Sequence, residues 1–298
     1  MNTAPSFAQC QQIVQRLACW EFPWDTTRAL ELALFRTFCA PRIGGVLHAT
    51  GEFEARAQKR YDDTDLIVSE MVEHGLDSER GARALARMNQ IHARFAIGNA
   101  EFLYVLSTFV FEPLRWNARF GWRRMTASEH EAWFQFWCEV GRRMGIHDIP
   151  ADIATFEAYN RDYEAREFRY TEAGRQVGEA TREMFAGWFP RPLRPLVRRS
   201  IHALLDEPVR TAFGFPPPSA WLQRAAAAAL RGRARILRLL PARRRPRLRT
   251  AMCPRSYPKG YRIEELGPPP AGTTKDNKLT GFTGSKTGLT GFFFGKNP

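Results

Sequence analysis

Residues 50–71, TGEFEARAQKRYDDTDLIVSEM, and residues 86–116, ARMNQIHARFAIGNAEFLYVLSTFVFEPLRW, decide the fold. In the first stretch apolar residues return at helical spacing, and a helix is expected from Phe53 to His74 with Gly75 as its stop. Ser78 caps a second helix, expected from Glu79 to about Ile97 and ended by Gly98. Phe102 to Phe111 is rich in β-branched and aromatic residues and can be read as a strand. Apolar positions 103, 106, 109 and 110 equally suit a buried helix, and a central helix is the preferred reading.

Outward from this centre the helical signals continue. A short helix is expected from Phe7 to Trp20, ending near Pro23. Asp25 is the expected N-cap of a helix over roughly Arg28–Cys39, which Pro41 stops. Gly44 and Gly45 read as a turn. Thr126 and Glu129 form a capping box that opens an aromatic helix reaching Met144. Further helices are expected at about 152–168, 172–187, 195–205 and 219–240. No alternating pattern recurs, so the fold class is all-α, a single-domain multi-helix bundle. The expected divisions are an N-terminal extension over 1–19, the domain over 20–267 and a low-complexity tail over 268–298. The tail carries LTGFTG and GLTGFFFG and lacks the pattern needed to bury a core.

Lys and Arg number 44 against 31 Asp and Glu, a net charge of +13 that suits nucleic acid, anionic lipid or acidic ligands. Five scattered cysteines show no zinc spacing and read as reduced thiols of a cytosolic compartment. The N-terminus lacks the features of a signal peptide, and no apolar run reaches the ~20 residues of a spanning helix. The localisation expected is cytoplasmic, with peripheral membrane contact through residues 224–249. That segment has ten Arg among aliphatics, with one helix face apolar and the other cationic. A solvated helix face is the default for it. Nucleic acid ranks last because aromatics are scarce among the basic residues.

No P-loop, GxGxxG, GxSxG or HExxH occurs, which counts against NTPases, dinucleotide enzymes, α/β-hydrolases and zincins. Glu70 and His74 stand four apart on one helix, but no second motif completes a di-iron site. His92 lies mid-helix in the expected structure, with Met88, Phe95, Ala96 and Asn99 beside it. On the residues alone a satisfied core histidine is the preferred account. Arg60 and Thr64 share a face of the preceding helix, where Arg60 needs an anionic partner or pairs with Asp62, Asp63 or Asp65.

The two opening stretches, with FWCEVGRRMGIHDIP, GWFPRPLRPL, EPVRTAFGFPPP and RPRLRTAMCPRSYPKGYRIEELG, resemble the MpaB-like branch of the MpaB/rubber-oxygenase family. The resemblance covers about residues 20–267. It implies an all-helical fold enclosing a b-type haem, with His92 as the axial iron ligand and Arg60 and Thr64 in the haem pocket. It also implies an oxygenase that uses O2 to cleave a C=C bond of a lipophilic, prenyl-type substrate. No distal group is matched, and Asp63, Asn99 and Tyr104 are merely polar groups near the motif. Two other readings stand beside this one: a non-enzymatic haem- or lipid-binding protein, and a peripheral-membrane scaffold built on the Arg-rich helix.

Overall fold

A computed structural model describes residues 5–268. The tail expected over 268–298 lies outside the described residues except for Pro268. Among the described residues the chain forms twelve α-helices and no strand. They are α1 Phe7–Arg16, α2 Pro23–Phe38, α3 Pro41–Ala49, α4 Glu52–His74, α5 Glu79–His92, α6 Asn99–Phe120, α7 Ala127–Arg143, α8 Ile153–Glu167, α9 Glu172–Gly187, α10 Arg194–Leu204, α11 Glu207–Phe213 and α12 Ala220–Leu239. One wider π-helical turn, Leu17–Glu21, joins α1 to α2. The fold is all-α and forms one domain.

Local chemistry sets most of the helix starts. Ser6 with Gln9, and Thr126 with Glu129, close reciprocal capping boxes on α1 and α7. The Ser78 hydroxyl accepts the Gly81 N–H at 3.0 Å, and Gly75, at φ 82°, ends α4. The ambiguous stretch around Phe102 is helical: α6 runs through it and places Leu103, Leu106, Val110 and Phe111 in the main core. There they meet Leu66 and Met71 of α4 and Trp133, Phe134 and Trp137 of α7. Val14 and Leu17, from the N-terminal segment, are buried in the same core.

Three local expectations are corrected by tertiary packing. Asp25 does not cap α2, which begins at Pro23. It is buried instead, accepting the Trp116 indole N–H at 2.9 Å and the Arg233 guanidinium at 3.0 Å, and so ties α2 to α6 and α12. Gly44 and Gly45 do not form a turn but lie inside α3. A Cβ on Gly44 would stand 2.7 Å from the Phe38 carbonyl and 3.3 Å from Gly174 Cα, so glycine permits the close approach of α3 and α9. The α5 helix stops at His92, five residues early. Tight turns from Arg94 N–H to Ile91 C=O (3.2 Å) and from Phe95 N–H to His92 C=O (3.0 Å) swing the chain into α6.

Beyond Pro241 the chain carries one short 3₁₀ turn, Ile263–Glu265, and is otherwise irregular. It lies as a strap along an acidic stripe of α4. Glu73 accepts the Arg249 N–H (2.5 Å), the Thr250 N–H (3.2 Å) and the Thr250 hydroxyl (2.5 Å). Asp65 receives the Arg249 guanidinium at 2.9 Å, Asp62 receives the Ser256 N–H at 2.9 Å, and Asp63 receives the Tyr257 hydroxyl. Glu70 accepts from the Tyr261 hydroxyl at 2.6 Å and from Arg80. Carboxylates removed from water cost several kcal/mol each unless such donors replace it.

Replacing Glu73 by Ala leaves three donors of the strap without their acceptor. Urea unfolding is expected to show a loss of about 2–4 kcal/mol, with early proteolytic cutting between 241 and 262. An unchanged midpoint would show that the strap contributes nothing to stability.

Candidate functional site

Arg60 and Thr64 lie one turn apart on α4, beyond a kink where Arg56 leaves helical geometry (φ −144°, ψ 44°). The Arg60 guanidinium donates to Thr64 Oγ1 at 2.6 Å, and Thr64 in turn donates to the Arg60 carbonyl at 3.1 Å. The expected alternative, a salt bridge to the neighbouring aspartates, does not form. Asp63 takes Lys59, Asp62 takes Gln58 and Ser256, and Asp65 takes Arg249. Among the described residues Arg60 makes no ion pair, and its guanidinium stands 5.7 Å from the Phe53 ring. Burial, only partly offset by the charges of Asp63 and Glu52, pushes its pKa down.

His92 is the last residue of α5 rather than a mid-helix residue. Its ring packs edge-on against Phe102 of α6, with centroids 5.3 Å apart, and its Nδ1 is buried without a hydrogen-bond partner. A histidine at a helix C-terminus is ordinarily held protonated by the negative pole. Here burial, and then the Arg60 cation, push the opposite way and lower its pKa to about 4. The result is a neutral imidazole near a guanidinium that makes no ion pair among the described residues. A neutral ring is the form that ligates a metal.

A cleft of about 650 Å³, counting solvent space at its mouth, opens between α2, α4, α6 and the strap. Leu30, Leu34, Val68, Val72 and Phe109 give it apolar walls, and Thr64 is part of its lining. Arg60 and His92 are not among the lining residues. Arg60 reaches it through Thr64, whereas His92 packs on Phe102, two helical turns from the lining residue Phe109 on α6. The structure thus brings Arg60 against Thr64 and sets the Arg60 charge on His92, with only Thr64 inside the cleft.

The polar wall of the cleft was not found from sequence. Glu31 accepts from the Tyr61 hydroxyl at 2.7 Å and from Arg28 at 2.6 Å, and burial raises its carboxyl pKa. Arg249 adds a cation from the strap. Only the position of Tyr61 beside Arg60 could have hinted at this group. The three polar residues near the motif are used elsewhere. Asp63 binds the strap, Asn99 pairs with the His147 backbone at 3.0 and 2.9 Å, and Tyr104 stacks on Tyr163 and donates to Glu164. Glu70 and His74 approach to 3.5 Å, and among the described residues no three His, Cys, Asp or Glu side chains converge on a metal position.

The family described as "ER-bound oxygenase mpaB/B'/Rubber oxygenase, catalytic domain" has a sequence model that matches residues 27–239. The chain belongs to this family. The match takes in α4, α5 and α6, with Arg60, Thr64 and His92, and ends at the last residue of α12, leaving the strap outside it. Among curated relatives, ER-bound oxygenase mpaB' of Penicillium brevicompactum is 28% identical over 225 residues, covering 70% of this chain and 53% of that protein. ER-bound oxygenase mpaB of Penicillium roqueforti (strain FM164) is 27% identical over 219 residues, 67% of this chain and 74% of that protein. The P. brevicompactum mpaB is 31% identical over 172 residues, 52% of this chain and 44% of that protein. The chain therefore spans about half the length of the two P. brevicompactum relatives.

The environment of His92 has a consequence for titration. Its folded pKa lies below the ordinary 6.5, so the unfolded chain binds this proton first and stability falls as pH drops from about 6.5 towards 4. A ¹H–¹⁵N imidazole titration of the purified protein is expected to place His92 near 4. Arg60→Gln should raise that midpoint while leaving it below 6.5. A wild-type midpoint at 6.5 would contradict the environment described.

Proposed function

We propose that this chain is a haem b-dependent oxygenase that cleaves a C=C bond of a lipophilic, prenyl-type substrate, with the function seated in residues 20–267. The observation that carries the reading is the neutral His92 ring, with one buried nitrogen unsatisfied, beside an unpaired Arg60. A lone imidazole suffices as a protein ligand only where another molecule supplies the remaining metal donors, as a porphyrin does. The residues present fit such a group. His92 would hold the iron, and Arg60 would take a propionate carboxylate in place of the aspartates that are engaged elsewhere. The family's name, which joins ER-bound oxygenases with rubber oxygenase, supports an alkene as substrate.

When bound, haem supplies the oxygen chemistry; one C=C and one O2 give two C=O groups, so the reaction closes without an external electron donor. The protein's own residues orient and enclose. Thr64 fixes the Arg60 guanidinium by its 2.6 Å hydrogen bond, so little freedom is lost when an anion arrives. Leu30, Leu34, Val68 and Phe109 give an apolar alkene walls that exclude water. Glu31, whose pKa burial raises, places at the same wall a carboxyl able to hold a proton at Oε2, since Oε1 accepts from Tyr61 and Arg28.

Addition of haemin to the purified protein is expected to give a Soret band that His92→Ala abolishes. Arg60→Gln should weaken haem binding by ~10–100-fold while keeping the band position. A protein that binds no haem in this assay refutes the reading. A second reading, haem or lipid binding without turnover, rests on His92 and Arg60 lying outside the cleft lining. Aerobic incubation of the reduced haem protein with a long-chain alkene separates the two, because carbonyl products exclude the binding-only protein.

A further inference from the structure

The helix α12 has two unlike sides. Its inner side packs Leu222 and Ala234 inward, sets Ala227 and Leu230 against Trp116 and Phe120, and lays Arg233 over the Trp24 ring at 3.9 Å. Its outer side has no partner among the described residues. Trp221 is 63% exposed, Ile236 51% and Leu239 86%, and Leu240 beyond the helix is 56% exposed. At ~100° per residue, positions 221, 225, 228, 232, 236 and 239 form one outer row, Trp-Ala-Ala-Gly-Ile-Leu. The adjacent row is Arg224, Arg231, Arg235 and Arg238, all exposed. None of these four makes an ion pair among the described residues, and α12 contains no Asp or Glu. Packed beside it, α10 adds the exposed Leu196.

We propose that the outer face of α12 docks in the plane of an anionic lipid bilayer. The apolar row enters the headgroup–acyl boundary, and the arginines lie over lipid phosphates with their stems along the apolar row. The two rows together select this occupant. Large side chains left in water along one line gain only from an apolar phase, and four uncompensated cations beside them need anions. A nucleic acid would satisfy the arginines and leave Leu239, Ile236 and Leu240 in water. A second copy would set one arginine row against another. Residues 269–298 bring four Lys against one Asp, so they add positive charge where negative charge is required. No helix among the described residues is long and apolar enough to cross a membrane, so the contact described is lateral.

The proposal is independent of haem and is tested on the full chain without it. Co-sedimentation is measured with vesicles of phosphatidylcholine alone and with vesicles in which roughly one third is phosphatidylserine. Binding is expected to be at least ~10-fold tighter to the serine-containing vesicles and to weaken as salt rises. Trp221→Ser with Ile236→Ser and Leu239→Ser, which leaves the charge unchanged, should lose ~10-fold or more at low salt. Replacing Arg224, Arg231, Arg235 and Arg238 by Gln should remove the preference for anionic lipid. Quenching by lipids brominated near the interface should fall between wild type and Trp221→Phe. The proposal is overturned by absence of sedimentation at low ionic strength, or by binding that the triple Ser variant leaves unchanged. It is equally overturned by an RNA or acidic-peptide competitor that binds more tightly than the vesicles.

Discussion

Everything near the cleft depends on the desolvation of one acidic stripe. Asp62, Asp63, Glu70 and Glu73 of α4 are buried, and a helix bearing that much negative charge on one side cannot pack unless donors meet it. Most of those donors come from the irregular strap, in which backbone N–H groups, a tyrosine pair and Arg249 serve in turn. The strap needs no regular structure of its own because α4 supplies its hydrogen-bond acceptors. Arg249 couples this arrangement to the cleft, since it binds Asp65 and is also part of the wall.

The same stripe accounts for the two electrostatic features that matter to function. Because each nearby aspartate already has a donor, Arg60 keeps a free positive charge in a poorly solvated place, and that charge presses on His92. On the scale of the whole chain, burying acids on α4, and Asp25, Glu31, Glu101 and Glu112 elsewhere, removes negative charge from the surface. An excess of +13 in composition is therefore concentrated outside, where Arg224, Arg231, Arg235 and Arg238 of α12 have no carboxylate partner among the described residues.

Features governed by near neighbours were legible in the sequence. The caps at Ser78 and Thr126, the stop at Gly75 and the helical spacing through Phe102 involve contacts within one turn, and each appears as read. Features governed by distant partners were not. Asp25 has the chemistry of a cap, but Trp116 and Arg233 claim its carboxylate. The glycines of α3 looked like a turn because the approaching backbone of α9 lies 130 residues away in sequence. The candidate trio came from a family pattern, and geometry adds that Arg60 is unpaired and His92 ends its helix. The cleft wall had no signal, since Glu31 and Tyr61 are 30 residues apart and Asp65 and Arg249 are 184 apart.

The strap also fixes when, during synthesis, the molecule can become itself. The α4 carboxylates emerge from the ribosome first, and the strap groups that answer them follow 176 to 194 residues later. Until about residue 261 has cleared the exit tunnel, the growing chain holds a helix whose charges favour water over the core. Long-range closures of this kind are slow, and final consolidation must wait for them. A nascent chain stopped at the end of α12 would carry Arg60, Thr64 and His92 but lack Arg249 in the cleft wall. The cleft is in this sense closed late, once the strap has followed α12 out of the ribosome.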